Sequence, residues 1–256
     1  MPLANLRGKL NPTNLIAEFV IVTLSVIAAL AGDKYLAHRA TLEHEQKALQ
    51  LIHQDLQANH KQLNFTTAEM IREDSVFVSL LKHAAGDTTL SDSTVNAAFI
   101  DLTFFMYFDR SVAQTANYDS KIKHAGKQVI QSDSIQTALN HYYDSNLNNL
   151  AEWTESRMEL VFDLSREITK AGLYTDKGQP YIRRIQDKSY SQNISELTSS
   201  IRIMGIAADI LWHNGHHRAN MENTGKTLRS IVELIEAYFE ENDVDYEPFD
   251  PGATWG

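Results

Sequence analysis

The chain has no cysteine among its 256 residues. That absence removes disulfides, thiolate metal sites and cysteine nucleophiles together, and it leaves the compartment open. Proline is nearly as scarce: there are five, and none falls between Pro12 and Pro180. With so few breakers and little period-two alternation, helices are the default reading of the intervening chain. Basic charge is in deficit, with 23 Lys and Arg against 33 Asp and Glu and a net charge of -10. No concentrated Lys/Arg run offsets this, which excludes nucleic acid as a partner, because phosphate binding needs such a face. Also missing are the G-x-S-x-G elbow, the G-x-x-x-x-G-K phosphate loop, the G-x-G-x-x-G fingerprint and H-E-x-x-H. Gly225, Lys226 and Thr227 form a Gly-Lys-Thr triplet, but its upstream glycine is absent and it lies in a helical stretch. These absences point to a protein with no evident catalytic activity, no catalytic residues and no cofactor.

What is present begins with one strongly apolar run, "NLIAEFVIVTLSVIAALAGDKYLAHRA", Asn14 to Ala40. Pro12 and the flanking Asn11, Thr13 and Asn14 form a helix start signal. The uncharged core from Phe19 to Gly32 is short for a span, but adding Leu15, Ile16, Ala17 and an interfacial Glu18 gives about 28 Å of helix. Glu18 then sits at one membrane rim, in the first turns, where a carboxylate meets the positive helix end. Tyr35 sits at the other rim. Two other readings stay open. Ala29 to Ala31 offers a small-residue cleavage site for a removed signal peptide, and the run could be a buried helix of a soluble core. A retained anchor is favoured because the helix continues, polar and unbroken, past Gly32. Arg7 and Lys9 against Lys34, Arg39 and Lys47 nearly balance, and the expected orientation is N-terminus inside, helical domain outside.

Behind the anchor, Leu42, Leu49, Leu56, Leu63 and Met70 recur every seventh residue, joined by Ile52, while Glu45, Asn59 and Thr66 occupy other seam positions. This half-seam reads as a stripe packing on other helices of the same chain, or as a parallel self-association seam. Ala84 to Ser93 clusters loop residues. A core-facing helix follows in "VNAAFIDLTFFMYF", then a short helix stopped by Gly126. A long helix, capped near Ser132 or Asp133 and ended near Gly172, carries Ile135, Leu139, Tyr142, Leu150, Trp153, Leu160 and Leu164 at helical spacing. A polar connection leads to a last helix from about Asn193 to Glu240. The expected parts are an N-terminal segment 1–13, a transmembrane anchor 14–35, a helical bundle domain 36–240 and an acidic tail 241–256 that composition marks as disordered.

Two of these stretches together resemble a bacterial family known as domain of unknown function 6090. One is the apolar "AEFVIVTLSVIAAL" followed by a long polar helix. The other is "NYDSKIKHAGKQVIQSDSIQTALNHYY", with Tyr118, Ile122, Gly126, Val129, Ile130, Asp133, Ile135, Leu139, Tyr142 and Tyr143 at the matching positions. Tyr35 stands where that family commonly has Trp. The resemblance implies a membrane-anchored helical protein and supplies no activity or catalytic residue.

The sharpest polar constellation is "DILWHNGHHRANMEN". On a continuous helix, Asp209, His213 and His217 fall on one face at intervals of four, with His216 beside them. An i,i+4 imidazole pair can hold Zn or Fe. Residues eight apart are separated by about 12 Å, so a third ligand must come from another helix, with His44, His53, His60 and His141 as candidates. The competing reading is a polar gap in the packed stripe Ile203, Ile206, Ile210, Met221, Leu228, Ile231, Ile235 and Phe239, with Asn214 and Gly215 marking a kink or a helix end. A pH-sensing role for the imidazoles is a third possibility.

The expected protein is all-α: an N-terminal transmembrane helix continues into a long helix, packed in an antiparallel helical bundle with coiled-coil character. Its expected role is a membrane-anchored scaffold, sensor or interaction module of the bacterial inner membrane. Its helical domain would lie in the periplasm, and its partners would be membrane lipid and a protein partner or second copy. The alternative is a metal enzyme or metal sensor using His213, His216 and His217.

Overall fold

In the computed structural model, residues 12–103, 111–124, 129–168, 170 and 194–252 are described. Outside them lie several features of the sequence reading: Asn11, Gly126, the second half of the "VNAAFIDLTFFMYF" stretch, the polar connection after Gly172, and Trp255. Every regular element among the described residues is helical.

Helix α1 spans Pro12–Ala84 without interruption, 73 residues, or about 110 Å at 1.5 Å per residue. It starts on a proline whose missing N–H is no loss in a first turn. Residues 18–40 are exposed on every side, with Phe19 72%, Leu24 60% and Leu30 58% accessible. This stretch is therefore not part of a core formed by the described residues. It is long and apolar enough to cross a membrane, and its apolar window is not buried inside the chain. Its two hydroxyls are satisfied within the helix: Thr23 donates to the Phe19 carbonyl at 2.7 Å and Ser25 to the Ile21 carbonyl at 2.8 Å. Glu18 and Tyr35, the expected rims, are both exposed.

From Glu45 onward the same helix becomes a wall of the bundle. Leu49, Ile52, Leu56, Leu63 and Met70 are at most 2% accessible, so the heptad stripe is consumed inside the chain. The polar seam positions explain why. Glu45 accepts the Gln131 amide at 2.7 Å, Asn59 both accepts the Gln114 amide and donates to its carbonyl, and Thr66 accepts from Gln62. Glu45 and Asn59, which would be unpaired in a self-association seam, instead anchor the chain's own connecting segments, and Thr66 is satisfied within α1.

A glycine at positive φ, Gly86 at +84°, ends α1, as a left-handed C-terminal position requires. Helix α2 (Asp92–Thr103) lies at that end. The chain reappears beside the middle of α1 with α3 (Ala116–Tyr118), which widens into a π-helical turn at Asp119–Lys123. Ser132 caps α4 (Asp133–Asn140), its hydroxyl accepting from Ile135 N–H. Helix α4 passes through a second π-helical stretch, His141–Asn146, into α5 (Leu147–Ile168). The expected single long helix is thus present, with a widened turn inside it. Another capping serine, Ser200, separates α6 (Ile194–Ser199) from α7 (Ile201–Glu241). Helix α7 runs straight through Asn214 and Gly215, where a kink or an end was one expectation.

The core has two storeys. The lower one, toward the exposed apolar end of α1, joins Leu49 to Met70 of α1, the aromatic set Tyr118, Tyr142 and Tyr143, Leu150 of α5 and Met221 to Phe239 of α7. The upper one joins Phe77 and Leu80, α2, Val161 to Ile168 and Ile203 to Ile210. Residue numbers rise from lower to upper storey in α1 and α5 and fall in α7, so α7 is antiparallel to both. Close approach of α7 to α1 rests on Gly225, where a Cβ would stand 3.2 Å from Leu63 Cδ2. The Gly-Lys-Thr triplet therefore contains a packing glycine within a helix.

The acidic tail does not follow its composition. Asp243, at φ +51°, turns the chain back, and residues 244–251 lie along α1 and α7. Gln50 and Gln57 donate to the carbonyls of Asp245 and Glu247 at 2.8 and 3.0 Å, and His60 Nε2 lies 3.1 Å from the Pro251 carbonyl. Glu236 accepts both the Phe249 amide and His53 Nε2. Val244, Tyr246 and Phe249 pack on the lower storey.

Candidate functional site: a polar layer between the storeys

Between Met70 and Phe77 on α1, Leu150 and Val161 on α5, and Ile210 and Met221 on α7, the core positions are polar. Glu73 and Asp74 come from α1, Thr154 and Arg157 from α5, and His213, Asn214 and His217 from α7, and all seven are buried. Arg157, 1% accessible, is the hub. Its Nη2 donates to Glu73 and its Nε to Asn214 Oδ1 at 2.7 Å. Asn214 Nδ2 donates to Asp74 Oδ1 at 2.8 Å, and Arg218 Nη1 lies 2.5 Å from Asp74 Oδ2. Two carboxylates thus face two guanidinium groups, Arg157 buried and Arg218 partly exposed.

The sequence singled out His213, His216 and His217, and the structure separates them. His213 and His217 point inward, 5% and 0% accessible, with ring centroids 6.1 Å apart. None of their four ring nitrogens has a hydrogen-bond partner among the described residues. His216 is exposed and sits between two indoles, stacked on Trp153 at 5.8 Å and tilted against Trp212 at 4.3 Å. Asp209 is exposed and joins neither group. The proposed third ligands are elsewhere: His53 and His60 hold the tail, and His44 and His141 are exposed. Among the described residues, no three His, Cys, Asp or Glu side chains converge to hold a metal ion.

Burial sets the protonation of the layer. Loss of hydration, reinforced by the Arg157 cation, pushes His213 down to about 4 and His217 down to about 3. Both imidazoles are therefore neutral at pH 7. Glu73 moves the other way, up to about 7, because its desolvation outweighs the pull of Arg157. Asp74 is also raised by burial, against the opposing effects of Asn214 and Arg218. The layer can store a proton on Glu73 near neutrality and resists taking one on the imidazoles.

Glu73, Asp74, Thr154 and Arg157 were not picked out by sequence reasoning. A signal existed: Arg157 falls in phase with Leu150, Thr154, Val161 and Leu164, and Glu73 falls midway between Met70 and Phe77. A charge at a core-phase position on two helices is legible only once their mutual register is known. Comparison with protein-family models, with curated proteins and with solved structures finds no match.

Proposed function

We propose that the protein is a single-pass, membrane-anchored helical scaffold, sensor or interaction module. In this reading it belongs to the bacterial inner membrane, its N-terminus is cytoplasmic and its bundle periplasmic. The observation that carries the reading is the double character of α1. The stretch 18–34 is exposed on every side among the described residues, whereas residues 45–80 of the same unbroken helix form the bundle wall. A bilayer is the solvent that suits the first stretch, and the absence of a break suits a retained anchor better than a cleaved leader. The resemblance to the domain of unknown function 6090 family agrees with this, as does the lack of a recognised catalytic motif. Carbonate extraction of cells making the full chain with a C-terminal reporter tests it. Retention in the membrane with reporter activity only outside the cytosol is expected; a soluble chain, shortened at its N-terminus, overturns the anchor.

One observation favours a second reading, a metal-dependent enzyme or sensor at His213 and His217: four buried imidazole nitrogens without hydrogen-bond partners among the described residues. The neighbouring Arg157 cation opposes it. Metal analysis of the purified chain decides, since stoichiometric Zn or Fe lost in a His213→Ala/His217→Ala variant would establish the metal reading.

A further inference from the structure

A pocket of about 350 Å³ opens on the lower storey, where α1 leaves the bundle toward its exposed apolar stretch. Its floor is apolar, made by Ala48 and Leu51 of α1 and by Val129. Its rim carries His44, Lys47, Lys121 and the Ser120 hydroxyl, and among the described residues no carboxylate lines it. None of the two lysines and the histidine forms an ion pair among the described residues, whereas neighbouring Lys123 is held by Asp144 at 3.0 Å. In a chain of net charge -10, two ammonium groups without an ion pair among the described residues stand over an apolar floor. Lys47 stands on the ridge between this pocket and the adjoining groove that holds Asp245 and Glu247.

The pocket is built by the fold. Ser120 and Lys121 project from the π-helical turn Asp119–Lys123, whose wider winding sets them opposite α1. The segment bearing Val129 is pinned by the buried Ile130 and by the Gln131 amide bonded to Glu45. The volume is within the range of small-molecule sites, and an apolar interior with a few placed polar groups is their usual make-up. The chemistry that fits is a singly or doubly charged anion joined to a short apolar chain. Water competes well for a bare anion at an exposed lysine, and a bare hydrocarbon leaves the ammonium groups unused.

We propose that this pocket binds an anionic amphiphile, with its phosphate or carboxylate headgroup between Lys47 and Lys121 within reach of His44 and Ser120, and its first methylenes over Ala48, Leu51 and Val129. Such a ligand can come from the bilayer, as an anionic lipid, or from solution, as a monomeric alkyl phosphate or fatty acid. His44 is nine residues beyond Tyr35, about 14 Å along the helix, so the site stands just above the expected headgroup layer. The lipid source rests on the anchored reading above; the pocket itself does not.

The test is calorimetric titration of the full chain in phosphatidylcholine nanodiscs with hexyl phosphate, with empty discs as the blank. A chain that fails to insert is titrated in buffer. Saturable one-to-one binding is expected, at least ten-fold weaker in the Lys47→Glu/Lys121→Glu variant, whose two substituted side chains are exposed. Inorganic phosphate and hexanol, each lacking half of the ligand, should bind at least ten-fold more weakly. Absence of saturable binding, an unchanged affinity in the double variant, or equal binding of inorganic phosphate would each overturn the proposal. Replacing part of the lipid by phosphatidylglycerol separates the sources: weakened hexyl phosphate binding marks a bilayer lipid in the pocket, and unchanged binding marks a ligand from solution.

Discussion

Two stretches of one helix have opposite fates. Residues 19–32 of α1 carry no charge on any side of the helix and are exposed throughout; residues 45–80 are apolar on one stripe only, and that stripe is sealed inside the bundle. A soluble bundle can cover one face of a helix but not every face, so an all-round apolar segment needs a different solvent, while a stripe needs only neighbours. The second stretch also contains what the first cannot tolerate. Glu73 and Asp74 are affordable inside the bundle because Arg157, Asn214 and Arg218 reach them from two other helices.

The comparison can be broken most severely at the ion-pair layer. Arg157→Ala leaves Glu73 buried without its cation and should cost about 3–5 kcal/mol in urea unfolding of the bundle. A smaller loss, about 2–5 kcal/mol, is expected of Leu56→Ala, which opens a cavity in the sealed stripe. Leu24→Ala, the same chemistry in the exposed stretch, should leave the urea midpoint of the bundle unchanged; an equal loss at both sites would mean that the exposed stretch packs on the bundle after all. Acid sharpens the contrast next. His213 and His217 are depressed when folded, so the unfolded chain takes their protons first and stability falls as pH drops below about 6.5. Glu73 is raised, so it contributes in the opposite sense, favouring the fold as pH falls through about 7. Two protons against one leave a net loss of about 1.4 kcal/mol per pH unit between pH 6 and 5. A His213→Asn/His217→Asn variant should flatten that slope in pH-dependent urea titrations, because the raised Glu73 is then opposed by His60, which burial also lowers. The smallest effect, about 1 kcal/mol, is expected of Phe249→Ala, which removes one half-buried ring of the tail from the lower storey. Faster proteolysis after Glu241 in that variant would report the released tail.

Periodicity made much of this readable in the chain itself. The stripes of α1, α5 and α7 follow from apolar residues at helical spacing, and Ser132 marks where α4 begins; the break at Ser200 divides what was expected as one helix from about Asn193 to Glu240. The tail is instructive because composition and pattern disagreed there. Its acids, prolines and glycine argue for disorder, yet Val244 and Tyr246 alternate with Asp243, Asp245 and Glu247, the pattern of an extended segment with one side inward. What no pattern in the chain could reveal is that its carbonyls meet the amides of Gln50 and Gln57. The imidazole cluster was half legible: spacing brought His213 and His217 to one face, but could not tell that His216 would turn outward between Trp153 and Trp212. The polar layer around them depends on three helices being in register, and register is a property of the packed molecule.

The continuity of α1 has a mechanical consequence. A chain that leaves a membrane through a flexible linker can place its domain anywhere within the linker's reach; one that leaves through an unbroken helix has a fixed height. From Tyr35 to Ala84 the rise is about 74 Å. Anchored as proposed, the molecule is a ruler, its ion-pair layer held about 57 Å above the rim and its upper end near 70 Å. A binding partner would have to come to that height, and a twist applied to the span would be carried along α1 toward the bundle core with no hinge between them.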